Sequence, residues 1–220
     1  MSAPRLTILM PTLDAAAYLG EALESVRTGA LPADEVDVLV LNGGSRDGTH
    51  AIVDRFAPLA RLSVEPDGGL YQALNRGLGQ ARGQYIGWLN ADDRFTPEGP
   101  AALLAALDDS LDFAYGDYQD WDLARNIHTL VRHQDNALEQ YRRGEMRLGW
   151  VTPLAMVWRR ATLQRLGGWN PRYRISGDQE LWVRAACAQP MLRGRHVDEV
   201  IGVFRTHRGS LSSGGSTSGA

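Results

Sequence analysis

Two adjacent aspartates, Asp92 and Asp93, end an apolar run in the segment YIGWLNADDRF. Burying a carboxylate is unfavourable unless a positive group compensates, and two neighbouring carboxylates repel each other. Capping of a helix near Pro97 explains one of the two acids. A divalent metal explains both, because Mg²⁺ and Mn²⁺ bind carboxylate oxygens and commonly share substrate phosphates with them. The pair therefore indicates metal-assisted phosphate chemistry.

The elements that would position these acids alternate between strand and helix over the first half of the chain. Short apolar runs predict strands, and apolar residues at helical spacing predict helices. The predicted strands are Leu6–Met10, Val36–Leu41, Arg61–Val64, Tyr85–Leu89 and Phe113–Tyr115, and the predicted helices are Ala15–Arg27, Asp47–Ala60, Leu70–Ala81 and Pro97–Leu107. This order predicts an α/β fold with a mainly parallel sheet flanked by helices.

Polar loops follow the predicted strands at one edge of this sheet. They are PTLD, NGGSRDG, EPDGG and NADDR. Turn chemistry explains any one of them, since Gly, Pro, Asp and Asn favour turns. Four such loops together favour a binding site, because ligands of open α/β sheets bind at the carboxyl ends of the strands.

The second half of the chain is less regular. The region Gly116–Gly149 is polar and predicts an irregular excursion or lid. Beyond it, the pattern predicts strands over Leu154–Trp158 and Val197–Phe204. It predicts helices over Thr162–Leu166 and Asp178–Ala188. We expect a single domain over 1–208, divided into halves 1–115 and 116–208, and a disordered Gly/Ser-rich tail over 209–220.

The composition of the chain indicates its cellular compartment and the kinds of partner it can bind. The net charge of the 220-residue chain is −3 and no basic tract occurs, which argues against nucleic-acid binding. The single cysteine, Cys187, allows no intrachain disulfide, and we expect it to be buried. No apolar run approaches the ~20 residues of a membrane span, and the N-terminus lacks a signal-like run. We therefore expect a cytoplasmic protein without a transmembrane segment.

The sequence lacks the motifs of other classes of nucleotide-binding protein. The first predicted strand is followed by MPTLDAAAYLG, so neither the G-x-G-x-x-G dinucleotide motif nor a P-loop is present. A pyrophosphorylase or another nucleotidyltransferase would need a phosphate loop near the N-terminus, and the sequence contains none.

Four segments in order carry a family resemblance. They are LTILMPTLDAAAYLGEALESV, VLVLNGGSRDGT, EPDGGLYQALNRGLGQARGQYIGWLNADDRF, and ISGDQELWVRAA followed by VFRTHRGSLSS. Because of these four segments, the chain resembles the family 2 glycosyltransferases of the GT-A fold that build bacterial polysaccharides. The resemblance extends from Leu6 to about Ser212. The resemblance implies a nucleotide-sugar-binding first half and an acceptor-side second half.

The resemblance also implies a nucleotide site at the sheet edge. Its expected residues are Pro11, Leu13 and Asp14 along the nucleobase, Asn42 at the base edge, Asp67 in the loop after the third strand, and Asp92 at the ribose or the metal. Asp93 would be the principal ligand of a Mn²⁺ or Mg²⁺ ion that bridges the diphosphate. His207 is a further candidate ligand.

Asp178 lies where the family has its catalytic base. It could instead cap the following helix, as could Ser176. Arg205 and His207 belong to a C-terminal motif that can reach the diphosphate, although a lone histidine is more often structural. Trp150 and Thr152 resemble an acceptor-side loop, with simple packing of the tryptophan as the alternative.

Two positions depart from the family pattern. Leu13 stands where an aromatic side chain commonly packs on the base, and Asn42 stands where an aspartate is usual. An asparagine carbonyl can still accept from uracil N3–H, without charge assistance. UDP is therefore the default donor nucleotide, with guanine and thymine nucleotides open.

The expected activity is an inverting, metal-assisted glycosyl transfer from a nucleotide sugar to a glycan or lipid-linked acceptor. A lipid-linked acceptor would bring the protein to the inner face of the cytoplasmic membrane as a peripheral protein. The alternative is a non-catalytic module of the same fold that only binds a nucleotide or glycan, and the departures at Leu13 and Asn42 motivate it.

Overall fold

The computed structural model of the chain describes residues 3–66, 68–144 and 151–210. The strands in these residues are β1 Leu6–Thr12, β2 Val36–Asn42, β3 Ala60–Val64, β4 Tyr85–Trp88, β5 Arg94–Phe95, β6 Phe113–Asp122, β7 Ile127–Val131, β8 Met156–Arg159 and β9 Gly194–Thr206. The helices are α1 Leu19–Arg27, α2 Thr49–Asp54, α3 Leu70–Gln80, α4 Gly99–Ala106, α5 Ala137–Arg142, α6 Arg160–Arg165 and α7 Gly177–Cys187, with a 3₁₀ turn at Pro153–Ala155. Most of the expected tail, 211–220, lies outside the described residues.

One mixed sheet joins strands from both halves of the chain, in the order β3-β2-β1-β4-β8-β6-β9-β5, with β7 paired to β6. The first four strands of that order are parallel, as the alternation of strands and helices predicts. Their carboxyl ends therefore meet at one edge. The sheet then changes direction, because β8 is antiparallel to β4 and to β6.

Side chains of the central strands pack alternately on the two faces of the sheet. Leu9, Leu39 and Leu41 belong to a core that includes apolar residues of α3 and α7. Ile8 and Val38 belong to the opposite core, with apolar residues of α1 and α4. This follows from the two-residue period of a strand, and it explains why the strand segments are apolar throughout.

The second half is more regular than the sequence predicts. β6 extends to Asp122 instead of ending at Tyr115, and the expected irregular region also contains β7 and α5. The polar end of β6 remains a strand because β7 pairs with one side of it and β9 with the other. The prediction for Cys187 was wrong, since its thiol is exposed at the last residue of α7.

Gly79, in the last turn of α3, and Gly83, in the segment between α3 and β4, give a matched test of how that segment packs on β1. A Cβ on Gly83 would meet the main chain of β1, 2.7 Å from the carbonyl carbon of Leu6 and closer still to the nitrogen of Thr7, whereas a Cβ on Gly79 would meet nothing within 4 Å. We expect Gly83→Ala to lower the free energy of unfolding by about 1–3 kcal/mol through overpacking. Gly79→Ala should raise it by up to about 1 kcal/mol, because alanine favours a helix interior. Urea denaturation measures both changes, and equal effects would contradict the packing described here.

Candidate active site

The loops after β1 and β2 are joined by side-chain hydrogen bonds. Asp14, in the left-handed region with φ 46, donates its main-chain N–H to Ser45 Oγ at 2.8 Å. Its carboxylate accepts the main-chain N–H of Arg46 at 2.8 Å. Next to it, the side chain of Leu13 is 65% exposed. Asp14 therefore shapes the first strand-end loop, and Leu13 is presented on it as an open apolar surface.

Asn42 closes the turn that follows β2. Its side chain is fully buried, and its carbonyl oxygen accepts the main-chain N–H groups of Gly44 and Ser45 at 2.8 and 2.7 Å. Its amide nitrogen has no hydrogen-bond partner among the described residues. The expected acceptance of a uracil N–H by this carbonyl does not fit the structure, because the turn already occupies the oxygen.

Asp93 occupies the centre of the site and is fully buried. One carboxylate oxygen accepts the side-chain N–H of Asn90 at 3.0 Å, and the other accepts the main-chain N–H of Arg205 in β9 at 2.8 Å. Burial, followed by the negative charge of Asp92, raises the pKa of Asp93 to about 8. With both oxygens engaged and no exposed surface, Asp93 ties β4 to β9 instead of facing the cleft.

Asp92 is the more exposed acid of the pair. Its side chain is 28% exposed, and Oδ2 lies 3.0 Å from His207 Nε2. The imidazole of His207 packs on the ring of Tyr18, with 4.9 Å between ring centroids. The structure therefore brings together a carboxylate and an imidazole, both types of group that bind divalent metals.

A buried cation lies beside this pair. The Arg205 side chain is 3% exposed, donates from Nη1 to Glu21 Oε2 at 2.7 Å and lies over the Tyr18 ring. Its Nε and Nη2 have no partner among the described residues. Burial alone would raise the pKa of Glu21, but Arg205 and Arg94 hold it below its usual value. The buried guanidinium and the imidazole of His207 therefore share the ring of Tyr18.

Asp178 lies in the first turn of α7, and Tyr71 of α3 orients that turn. The Tyr71 hydroxyl accepts the main-chain N–H of Gly177 at 2.7 Å and donates to Asp178 Oδ1 at 3.3 Å. Burial, and then the charge of Asp178, raises the pKa of Tyr71 to about 12. Ser176, the residue that precedes the helix, makes no capping hydrogen bond with its side chain, so the Tyr71 hydroxyl serves as the acceptor at this end of α7.

Asp178 also lines a small cavity with a volume of about 20 Å³, room for about one water molecule. Its other walls are apolar and include the aromatic residues Trp88, Trp158, Trp169 and Trp182. Trp88 packs edge-on against Tyr71 at 6.2 Å between centroids, and its indole N–H donates to Asn90 Oδ1 at 2.8 Å. A continuous line of contacts therefore runs from Asp178 through Tyr71, Trp88 and Asn90 to Asp93.

Tyr71, Trp88, Asn90, Tyr18 and Glu21 are site residues that sequence reasoning missed. Their partners are distant along the chain: 107 residues separate Tyr71 from Asp178, and 184 separate Glu21 from Arg205. No local pattern signals such pairs. Of the residues predicted from sequence, Pro11 is partly buried in β1, and Thr152 is partly buried before the 3₁₀ turn. Asp67 and Trp150 lie outside the described residues.

No group of three or more His, Cys, Asp or Glu side chains in the described part of the chain is arranged to hold a metal. A metal at Asp92 and His207 would thus need further ligands from a substrate. Within the same residues, every helix is too short or too polar to span a bilayer.

The family model described as Glycosyl transferase family 2 matches residues 7–167. The chain belongs to glycosyltransferase family 2. It is 28% identical, over 222 residues, to proteins of Mycobacterium tuberculosis and Mycobacterium bovis named PGL/p-HBAD biosynthesis glycosyltransferase, and the match covers 95% of this chain and 80% of theirs.

Solved structures identify the fold as GT-A. Residues 1–349 of S. aureus TarS, in complex with UDP-GlcNAc, match with a TM-score of 0.77 and 20% identity, covering 96% of this chain and 61% of that one. The mannosyltransferase PcManGT of Pyrobaculum calidifontis, in complex with GDP-Man and Mn²⁺, matches with a TM-score of 0.67 and 22% identity, covering 93% and 57%. This transferase thus spans less than two thirds of each of these two structures.

Removal of the Tyr71 hydroxyl tests how the first turn of α7 is held. In Tyr71→Phe the buried N–H of Gly177 loses its acceptor, which should lower the free energy of unfolding by about 1–3 kcal/mol. Tyr173→Phe is the matched control, because Tyr173 is 45% exposed, and its effect should stay within about 0.5 kcal/mol. Urea denaturation gives both values. Equal stabilities for the two variants would contradict the role of Tyr71.

The pKa of Asp93 can be measured directly in metal-free protein. NMR of protein with ¹³C-labelled aspartate carboxyls should show one resonance that titrates near pH 8 and is missing in Asp93→Asn. Because this pKa is raised above the unfolded value of about 3.9, the folded state binds the proton more tightly, and the stability contributed by Asp93 falls as pH rises from about 4 to about 8. Titration of every aspartate below about pH 5 would contradict this.

Proposed function

We propose that this chain transfers a sugar from a nucleotide sugar to a hydroxyl of a glycan or lipid-linked acceptor, with inversion at the anomeric carbon. UDP stays the default nucleotide because TarS was solved with UDP-GlcNAc, and no longer because of the Asn42 carbonyl. The observation that carries the proposal is the Asp92–His207 pair, 3.0 Å apart at the carboxyl end of β4. Support comes from TarS and PcManGT, which share this fold and were solved with UDP-GlcNAc and with GDP-Man and Mn²⁺.

We assign the divalent metal, Mn²⁺ or Mg²⁺, to Asp92 instead of Asp93. His207 would join as a second ligand when the metal replaces its Nε2 hydrogen bond to Asp92 and the Gly209 N–H leaves Nδ1. Asp92 is partly exposed, whereas Asp93 is buried with both oxygens accepting hydrogen bonds. Two protein ligands suffice, because such ions commonly complete their coordination with substrate phosphates and water. When bound, the metal would neutralise the charge that develops on the departing nucleoside diphosphate.

Arg205 would add fixed positive charge beside the leaving group. Its guanidinium is buried, so its field is screened less by solvent than that of an exposed arginine. Glu21 and Tyr18 hold it in place before any ligand binds. A preorganised cation of this kind stabilises negative charge that appears during the reaction.

Asp178 is the proposed general base. The acceptor hydroxyl gives its proton to the Asp178 carboxylate and attacks the anomeric carbon, while the bond from that carbon to the diphosphate breaks on the opposite face. One base is sufficient for this single displacement. Tyr71 supports the role, because its hydroxyl bonds both to Asp178 and to the preceding main-chain amide, and so limits the orientations of the carboxylate.

The remaining predicted residues would bind the two substrates. Leu13 offers an apolar surface for the nucleobase, Pro11 lies two residues before it in β1, and Asp14 shapes the loop that presents it. We retain Asp67 on the donor side, and Trp150 and Thr152 on the acceptor side, as proposals from the family resemblance.

Donor turnover tests the proposal. The purified protein is incubated with UDP-sugars and Mn²⁺, and release of UDP is measured with and without acceptors. Asp178→Asn should lower transfer by about 10²–10⁴-fold while donor-induced thermal stabilisation is retained. Asp92→Asn should lower Mn²⁺ affinity by at least about tenfold, because it replaces a charged ligand with a neutral one.

Asp109→Asn is the matched control, since Asp109 is exposed and lies in the turn after α4. Full transfer by Asp178→Asn would exclude Asp178 as the base. Unchanged Mn²⁺ affinity in Asp92→Asn would refute the metal assignment. Tight UDP binding without turnover of any sugar would instead favour the non-catalytic binding module.

A further inference from the structure

A cavity of about 530 Å³ opens at the edge of the sheet opposite the candidate active site. Four arginines line it: Arg5, Arg82, Arg159 and Arg160. The other lining residues are Ala3, Pro4, Gln84, Ala161 and Gln164, so none of the described residues that form the walls is acidic. We call it the arginine cavity.

Most of the positive charge in the arginine cavity is not neutralised. Arg5 pairs with Glu35 at 3.0 Å. Within residues 3–66, 68–144 and 151–210, no carboxylate lies within 4 Å of the guanidinium groups of Arg82, Arg159 or Arg160. Three cations therefore share one cavity in a protein whose net charge is −3. Like charges repel unless an anion compensates, so the cavity favours a negatively charged ligand.

Main-chain carbonyls hold two of these guanidinium groups in place. Arg159 donates to the carbonyls of Leu111 and Asp108 at 2.9 and 2.7 Å, and it lies over the ring of Tyr85. Arg160 donates to the carbonyl of Ala81. A guanidinium has five N–H donors, so both arginines retain free donors after these bonds. Because they are already ordered, binding an anion costs little additional side-chain entropy.

The position of the cavity separates it from the donor site. Arg5 immediately precedes β1, and Arg159 is paired with Tyr85 at the start of β4. β1 has 7 residues, each of which advances the strand by about 3.3 Å, so the two edges lie about 20 Å apart. A nucleotide sugar at Asp92 cannot therefore reach the arginine cavity, and its ligand must be a different molecule.

We propose that the arginine cavity binds a phosphate group, carried either by a lipid headgroup or by a soluble phosphate compound. Guanidinium forks match the geometry of phosphate oxygens, and three uncompensated cations suit the double charge of phosphate better than the single charge of a carboxylate. The cavity volume falls within the range of small-molecule sites, so it can hold a headgroup or a soluble phosphate. This inference does not depend on the transferase chemistry.

A pair of charge reversals tests the proposal. Arg82 is exposed and makes no side-chain hydrogen bond or ion pair among the described residues, so Arg82→Glu should fold normally, which thermal melting checks. Arg55→Glu, at an exposed position next to α2, changes the net charge equally and is the control. Both are compared with wild type in two arms: flotation with vesicles of phosphatidylglycerol and phosphatidylcholine, and calorimetry with inorganic pyrophosphate.

We expect Arg82→Glu, but not Arg55→Glu, to weaken binding by about five-fold or more in one arm, given the typical contribution of one basic residue near an anionic surface. Arg160→Gln should weaken binding in the same experiment. Loss confined to vesicles identifies a lipid headgroup, and loss with pyrophosphate identifies a soluble phosphate. Equal behaviour of Arg82→Glu and Arg55→Glu in both arms, or no binding by wild type in either, would overturn the proposal.

Discussion

The buried, hydrogen-bonded carboxyl group of Asp93 is the feature on which the candidate active site depends. It accepts one hydrogen bond from Asn90, at the end of β4, and one from the main chain of Arg205, which is 112 residues away in β9. A buried carboxyl group without partners is costly, so the fold must keep both donors in register. The backbone on either side of Asp93 is thereby fixed, and Asp92 is turned toward the cleft and His207.

The same contact determines where the positive charge lies. Arg205 uses its main-chain N–H for Asp93 and directs its guanidinium at Glu21 of α1. Tyr18, just before that helix, packs against both Arg205 and His207. Three segments distant in sequence thus converge on one end of the parallel strands, where a nucleoside diphosphate would need a cation.

The two edges of the sheet carry different chemistry. The carboxyl edge holds Asp92 and Asp178, with aromatic packing between them. The amino edge holds guanidinium groups, represented by Arg82 and Arg159, and none of the described residues that line their cavity is acidic. A net charge of −3 conceals this separation, since it averages over both edges.

The sequence by itself determined the alternation of strands and helices, the polar loops at the strand ends, and the family. These features follow from local periodicity and turn chemistry, which do not need distant partners. Tertiary structure alone decided which of the paired acids is buried, because the choice depends on the main chain of Arg205. It also decided that the turn after β2 occupies the Asn42 carbonyl, and that residues as distant as Arg5 and Arg159 line one cavity.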